Sequence, residues 1–124
     1  MHELSYATSM LNTILETVKN HDFKNVKRVS KINLEIGELT FINVEQLKFA
    51  FEVISKSTIC EGAEIEVKFI KPYVICGNCG YKGELDVIDD LLISCPKCGS
   101  PSSLKIEGGR EFNIKNITVE FEDE

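Results

Sequence analysis

The sequence predicts an α+β fold in which two helices pack on a three-stranded sheet, with a small four-cysteine zinc ribbon inserted in the chain. Two stretches carry apolar residues at helical spacing, and three stretches alternate apolar and polar residues as half-buried strands do. Two cysteine pairs with C-x2-C spacing lie between the second and third of these strands. We expect residues 1–71 and 108–124 to form an α/β body and residues 72–107 to form the zinc ribbon.

The first helix is predicted over Leu4–Val18, because its apolar residues recur every three or four positions and therefore share one face. Lys19 suits the negative end of the helix dipole, and Asn20 with His21 supplies the stop. His21 could bind a metal in principle, but at this position we expect a solvated histidine. The predicted apolar face comprises Leu4, Ala7, Leu11, Ile14 and Val18, with Met10 and Leu15 beside it.

The second helix is predicted to begin after Asn43, whose side chain can cap the first turn. Gln46 lies three residues further on and can reach back to the Asn43 N–H, which would complete a capping box. Ile42 and Leu47 fit the positions of a hydrophobic staple, and the helix should fade near Ser55. Its predicted core residues are Val44, Leu47, Ala50, Phe51 and Ile54, together with Phe49.

Three alternating stretches are predicted as strands. The first covers Val26–Ile36 and ends at Gly37, and the second runs from Glu64 towards Pro72. The third begins near Phe112, and its apolar residues change from even to odd positions near Lys115, which predicts a bulge or kink. Short hairpin strands are expected in the ribbon around Leu85, Val87 and Leu91–Ile93.

The two cysteine pairs have the spacing typical of a zinc site. Cys76 and Cys79 form the first pair, fifteen residues follow, and Cys95 and Cys98 form the second. Two residues between cysteines let one tight turn direct both sulfurs at a single ion. A glycine follows each pair, where a residue without a Cβ lets the backbone fold over the sulfurs. Since four thiolates leave the ion no open position, this zinc should be structural.

A pair of disulfides, or four unrelated thiols, is the alternative interpretation of these cysteines. Disulfides need an oxidising compartment, and the start of the chain has no basic segment of the kind that opens a signal peptide. We therefore favour zinc and expect a cytoplasmic protein. Cys60 lies outside the zinc spacing and is expected to be a small buried residue, with an exposed thiol as the alternative.

Composition narrows the possible functions. A chain of 124 residues suits one small domain carrying a subdomain, and no apolar run approaches membrane-spanning length. Twenty acidic residues against fourteen basic ones give a net charge of −6, which argues against nucleic-acid binding. No histidine–carboxylate pair lies near a nucleophile and no phosphate-binding glycine loop is present, so we do not expect an enzyme.

The first three residues carry chemistry that is not structural. The α-amine of Met1, the amide nitrogens of His2 and Glu3 and the Nδ1 of His2 can surround one ion in a plane. Square-planar nitrogen ligands suit Ni(II) and Cu(II), whereas zinc has no electronic preference for a plane. The arrangement requires Met1 to stay on the chain, which we expect because His2 is too bulky for ready removal of the initiator. Alone, His2 would be interpreted as an ordinary solvated residue.

Taken together, these features resemble the HypA family of nickel-insertion proteins for hydrogenase and urease maturation. The resemblance covers essentially the full length and combines Met1-His2-Glu3-Leu4-Ser5, Ile36-Gly37-Glu38-Leu39 and the ribbon cysteines in that order. It implies a nickel metallochaperone that cooperates with HypB, a GTPase, and delivers nickel to the precursor of the NiFe-hydrogenase large subunit, or in some organisms to urease. The implied sites are Met1, His2 and Glu3 for nickel, and Cys76, Cys79, Cys95 and Cys98 for zinc.

The chain also departs from some members of that family. Some carry histidines beside the zinc cysteines, whereas here Gly99 follows Cys98 and the histidines are His2 and His21. A histidine link between the two metal sites is therefore not expected. Asn43 lies where some relatives have an acidic residue, and as an amide it is a poorer ligand. The sequence does not decide whether the target is hydrogenase or urease, or whether the protein is a monomer or a homodimer. A nucleic-acid-binding zinc ribbon and a structural adaptor are the alternative functions.

Overall fold

The computed structural model describes residues 2–21, 25–85, 94–100 and 103–122. Within these ranges the chain has the α+β architecture that the sequence predicts. The helices are α1 (His2–Asn20) and α2 (Val44–Ile54), and the strands are β1 (Val26–Gly37), β2 (Glu64–Ile70), β3 (Tyr73–Cys76), β4 (Lys82–Glu84), β5 (Leu104–Glu107) and β6 (Phe112–Phe121). One three-stranded sheet has the order β2-β1-β6, and a second, with the order β4-β3-β5, carries the cysteine region.

The chain divides into two compact units. The first comprises Met1–Leu34, Ile42–Val67 and Ile114–Glu124, and the second comprises Glu35–Phe41 and Lys68–Asn113. Both helices belong to the first unit, where they pack on each other. No helix in the described ranges is both long enough and apolar enough to cross a membrane.

Helix α1 buries the face that its periodicity predicts, with one error at its start. Met10, Ile14 and Val18 are all at least nine-tenths buried, as are the other inner positions Ala7 and Leu11. Leu4 was expected on the same face but is 55% exposed. At 3.6 residues per turn, Leu4 lies at the margin of this stripe, so its side chain turns away from the core.

Helix α2 begins as predicted, with Asn43 as its N-cap. The Asn43 Oδ1 accepts a hydrogen bond of 3.1 Å from the N–H of Gln46. The reverse half of the predicted capping box is wrong, because the Asn43 N–H donates instead to Glu3 Oε2 at 3.1 Å. Phe51 is 2% exposed, whereas Phe49 is 68% exposed, so Phe49 is not a core residue. Two residues correspond to roughly 200° around a helix, which turns Phe49 away from the side that buries Phe51.

Strand β1 is the centre of the larger sheet, and its inner side chains form much of the core. Ile32 and Leu34 are almost completely buried. In β6 the half-buried side chains lie at even positions up to Ile114 and at odd positions from Ile117, as the sequence predicts. The strand is continuous through this change, with Lys115 and Asn116 both exposed.

The smaller sheet supports the cysteine turns. Its central strand β3 pairs antiparallel with β4 and with β5, so that Val74 lies opposite Gly83 and Ile106. Strands β3 and β5 were not predicted from the sequence. Leu85 is buried but lies just beyond β4, and the other positions where hairpin strands were predicted, 87 and 91–93, lie outside the described residues.

Candidate metal centres

The ribbon cysteines converge on one point. Their four sulfurs all lie within 4.8 Å of one another. The Sγ of Cys76 is 3.7 Å from that of Cys98, and the Sγ of Cys79 is 3.5 Å from that of Cys95. Zinc–sulfur bonds of about 2.3 Å in a tetrahedron would hold the sulfurs about 3.8 Å apart. A disulfide requires about 2.05 Å, so the four thiols fit a metal site and are not paired as disulfides.

The two cysteine turns have the same backbone construction. In the first, the Cys76 N–H donates to the carbonyl of Tyr81 at 2.8 Å, and the Gly80 N–H donates to the carbonyl of Cys76 at 3.0 Å. The second repeats both bonds through Cys95, with the Ser100 carbonyl as acceptor at 3.0 Å and the Gly99 N–H as donor at 2.9 Å. Gly80 and Gly99 have φ of 79° and 76°, a conformation that glycine adopts without a steric cost.

Hydrogen bonds to sulfur prepare these thiols to act as thiolates. The pKa of Cys98 is lowered to about 6, first by the side-chain amide of Asn78 and then by the backbone N–H of Ser100. Burial would raise the pKa of Cys95, but the N–H groups of Cys98 and Lys97, both 3.4 Å from its sulfur, lower it. Backbone N–H groups that hold thiolates in this way are typical partners of metal ligands.

The same cluster cannot hold four negative charges without a cation. The pKa of Cys79 is raised to about 12, because the backbone N–H at Tyr81, which lowers it, is outweighed by burial and by the neighbouring sulfurs. Like charges at such short distances disfavour ionisation of the last thiol. A divalent cation at the centre removes this penalty, since a thiol that coordinates a metal ion is deprotonated.

The second candidate centre lies at the start of α1. The helix begins at His2, so the backbone of residues 2 and 3 is in its first turn. Glu3 is half-buried, and its carboxylate accepts a hydrogen bond from the Asn43 N–H, as described above. The pKa of Glu3 is lowered to about 2, first by the α-amino group of the chain and then by that N–H. Met1 and the side chain of His2 lie outside the described part of the structure.

Comparison with known proteins identifies the family. A family profile described as "Hydrogenase/urease nickel incorporation, metallochaperone, hypA" matches residues 1–119. The chain belongs to the HypA family. The match includes the N-terminal segment and all four ribbon cysteines.

HypA relatives match over their whole length. Proteins named hydrogenase maturation factor HypA from Methanococcus aeolicus and Methanocaldococcus jannaschii are each 60% identical to this chain, with 99% of this chain and 100% of the relative covered. The protein of the same name from Methanothermobacter thermautotrophicus is 37% identical over the same shares of both chains.

Two solved HypA structures have the same fold. The solution structure of the nickel metallochaperone HypA from Helicobacter pylori superposes with a TM-score of 0.63 at 23% identity, covering 98% of this chain and 100% of that one. A second solution structure of a HypA protein gives a TM-score of 0.65 at 21% identity, covering 98% of each chain. At these sequence identities the two structures support the fold of this chain and no further property.

Among the described residues, Cys60 and His21 do not belong to the four-cysteine group. Cys60 has no exposed surface, which confirms the prediction of a small buried residue. His21 is exposed just after α1 ends, and its Nδ1 lies 3.0 Å from the carbonyl oxygen of Thr17. The Asn43–Glu3 contact was missed from the sequence, because forty residues separate its partners and no local pattern links them.

Proposed function

We propose that this chain is a nickel metallochaperone, not an enzyme, that binds Ni(II) through the Met1 amine, His2 and Glu3 and delivers it for hydrogenase maturation, or for that of urease. The family match over residues 1–119 carries this proposal, because it includes Met1-His2-Glu3. Residues 2 and 3 belong to the first turn of α1. The first four N–H groups of an α-helix have no carbonyl acceptor within the helix, so metal binding through these amides would break no helical hydrogen bond.

The chemistry of such a site suits delivery. Two amide nitrogens must lose protons when the metal binds, so affinity rises with pH and acid favours release. The donors belong to a chain end, which an incoming ligand can displace one at a time. Copper would bind the same nitrogens more tightly than nickel, so selectivity would depend on metal availability and on the partner.

For the four-cysteine cluster we propose a structural Zn²⁺ held by Cys76, Cys79, Cys95 and Cys98. The sulfur separations of 3.5 and 3.7 Å support this ion, since they suit a tetrahedral four-thiolate site. A bound zinc ion would cross-link the two cysteine turns and neutralise the negative charge of the thiolates. With residues 1–71 and 108–124 assigned to nickel and 72–107 to zinc, each metal would have its own part of the chain.

We further propose a cytoplasmic protein, as monomer or homodimer, with two protein partners and no nucleic acid. The HypB-type GTPase would dock on the outer face of α1, and the precursor of the hydrogenase large subunit would receive the nickel. The exposed side chains of this face include Ser5, Thr8, Ser9 and Asn12, which are small and uncharged. They would allow close approach of another protein next to the nickel segment.

A nickel titration followed by visible absorption tests the site. The native chain is compared with a chain that carries one extra glycine before Met1, which moves the α-amine out of the chelate and leaves the zinc cysteines unchanged. We expect one planar, diamagnetic nickel complex per native chain and none at this site in the extended chain. Equal binding by both chains would contradict the proposed ligands.

Delivery is tested by maturation of a hydrogenase precursor with purified partners and limiting nickel. His2→Ala should abolish stimulation of maturation by this protein. His21→Ala is the matched control, because it removes an exposed histidine outside the proposed site. If His2→Ala delivers as well as the native chain, this protein acts as a zinc-stabilised adaptor.

A further inference from the structure

Helix α2 presents two apolar residues to solvent on the side opposite its buried stripe. Phe49 is 68% exposed and Val53 is 50% exposed, whereas Leu47 and Phe51 are buried. Four residues separate Phe49 from Val53, so the two side chains are neighbours on the helix surface. They form an apolar pair outside the core of the first unit, to which the whole of α2 belongs.

Charged residues surround the apolar pair. The exposed charged residues of α2 and of the turn after it are Glu45, Lys48, Glu52 and Lys56. Together with the apolar pair, we call them the α2 outer face. Their spacing would allow ion pairs along the helix, but within the described part of the chain none of the four side chains forms an ion pair or a hydrogen bond. An apolar centre with a charged rim is the usual composition of a protein–protein interface.

Helical geometry arranges the α2 outer face in three rows. Each residue advances about 100° around the helix, so the members of the apolar pair lie about 40° apart on one flank. Lys48 and Glu52 lie about 40° apart on the other flank, and Glu45 and Lys56 lie between the flanks, about 20° apart. Lys56 follows the C-cap Ser55, which keeps right-handed helical dihedral angles and so continues the path of the helix.

The α2 outer face is complementary to itself when two helices run antiparallel. A two-fold axis perpendicular to both helices places each row against the same row of the second copy, in reversed order. Glu45 then faces Lys56 of the second copy, and Lys48 faces Glu52 of the second copy. The apolar pair meets its own copy in the third row. The three rows agree on one register to within about 1.5 Å along the helix axis, and the symmetry forms each contact twice.

The charge pattern favours a second copy of this chain over other occupants of the face. A partner surface of one charge sign would match either the two glutamates or the two lysines, but not both. Parallel packing of two copies would bring each charge against an identical one, which disfavours association. Antiparallel packing also places opposite ends of the two helix dipoles side by side.

We infer that this chain forms a homodimer through the α2 outer face, with the two α2 helices antiparallel about a two-fold axis. α2 has 11 residues and is about 16 Å long. A contact of that length covers less than the roughly 800 Å² per partner of a stable complex, so the dimer is weak, with a Kd on the order of 0.1 mM. At micromolar concentrations the chain is therefore mostly monomeric. The interface contains no proposed metal ligand, so the inference does not rest on nickel delivery.

Charge reversal and mixing of variants test the register. Self-association of the zinc-loaded full chain is measured by sedimentation equilibrium from about 10 µM to about 1 mM. Glu45→Lys and Lys56→Glu should each weaken association at least about tenfold, because like charges then meet across the axis. A one-to-one mixture of the two variants has opposite charges at both contacts and should associate about as strongly as the native chain. The matched control is Glu16→Lys at an exposed position of α1, which changes the net charge as Glu45→Lys does and should leave association unchanged.

The apolar pair is tested by Phe49→Ala beside Phe69→Ala. Phe69 lies in β2 and is 51% exposed, so its truncation removes an exposed ring outside the α2 outer face. Phe49→Ala should weaken association at least about tenfold, and Phe69→Ala should leave it unchanged.

The outcomes decide both the interface and its register. A native chain that stays monomeric up to about 1 mM would overturn the inference, as would equal association of the native chain and Phe49→Ala. A mixture that associates no better than its two components would refute the antiparallel register. Recovery in the mixture supports the register and shows that both variants are folded, because a misfolded chain could not restore the contacts. The nickel titration is read by absorption, so failure of the nickel site and failure of this interface are told apart.

Discussion

Alkaline pH should destabilise this protein through its buried cysteine. Cys60 has no exposed surface, and burial raises its pKa from the ordinary 9.0 to about 11. In the unfolded chain the thiol ionises near its ordinary value, while in the native chain it stays protonated. The stability that Cys60 contributes is therefore complete below about pH 9 and is lost as the pH rises towards 11. At about 1.4 kcal/mol per pH unit, two units correspond to about 2.7 kcal/mol.

The assay is urea unfolding of the zinc-loaded protein from about pH 8 to about pH 11, beside the variant Cys60→Ala. The variant loses some packing at every pH, but it lacks the ionising thiol. We expect the difference in free energy of unfolding between the two proteins to be constant below about pH 9 and to shrink or reverse above it. Other titrating groups are common to both chains and cancel in the difference. Curves that stay parallel across the range would refute the reasoning.

Two further predictions concern the core and the four-cysteine cluster. Phe51→Ala should lower the free energy of unfolding by about 3–5 kcal/mol, whereas Phe49→Ala on the exposed side of α2 should change it by less than about 0.5 kcal/mol in the same urea assay. Cys98→Ala should lower zinc affinity and loosen the β4-β3-β5 sheet, seen as faster amide exchange in β3, while Cys60→Ala keeps one zinc per chain by colorimetric assay.

Local patterns were sufficient for much of the fold. Both helices were predictable from the helical spacing of apolar residues, because one side of each helix is buried against the core. The Asn43 cap was predictable because it involves only four consecutive residues. The same local reasoning failed for Phe49 and Leu4, which are apolar residues beside a buried stripe. Strands β3 and β5 were missed because each spans four residues, too few for an alternating pattern to stand out.

The candidate sites also comprise parts that local sequence predicts and parts that it does not. The four cysteines were predictable because each turn is built from adjacent residues and the spacing sets the geometry. The contact of Glu3 with Asn43 and the close approach of Gly37 to Gly109 join residues far apart in the sequence. The Ile36-Gly37-Glu38-Leu39 segment could be recognised, yet its packing role needed the position of Gly109 in three dimensions.

The two proposed sets of donors would select different metals within one small chain. Four cysteine sulfurs, two of which (Cys95 and Cys98) accept hydrogen bonds from N–H groups, favour a tetrahedral ion and would leave it no open position for exchange. Amine, amide and imidazole nitrogens favour a plane, which zinc does not prefer. No histidine is adjacent to the four cysteines in the sequence, so the expected absence of a histidine link between the two proposed metal sites stays a prediction.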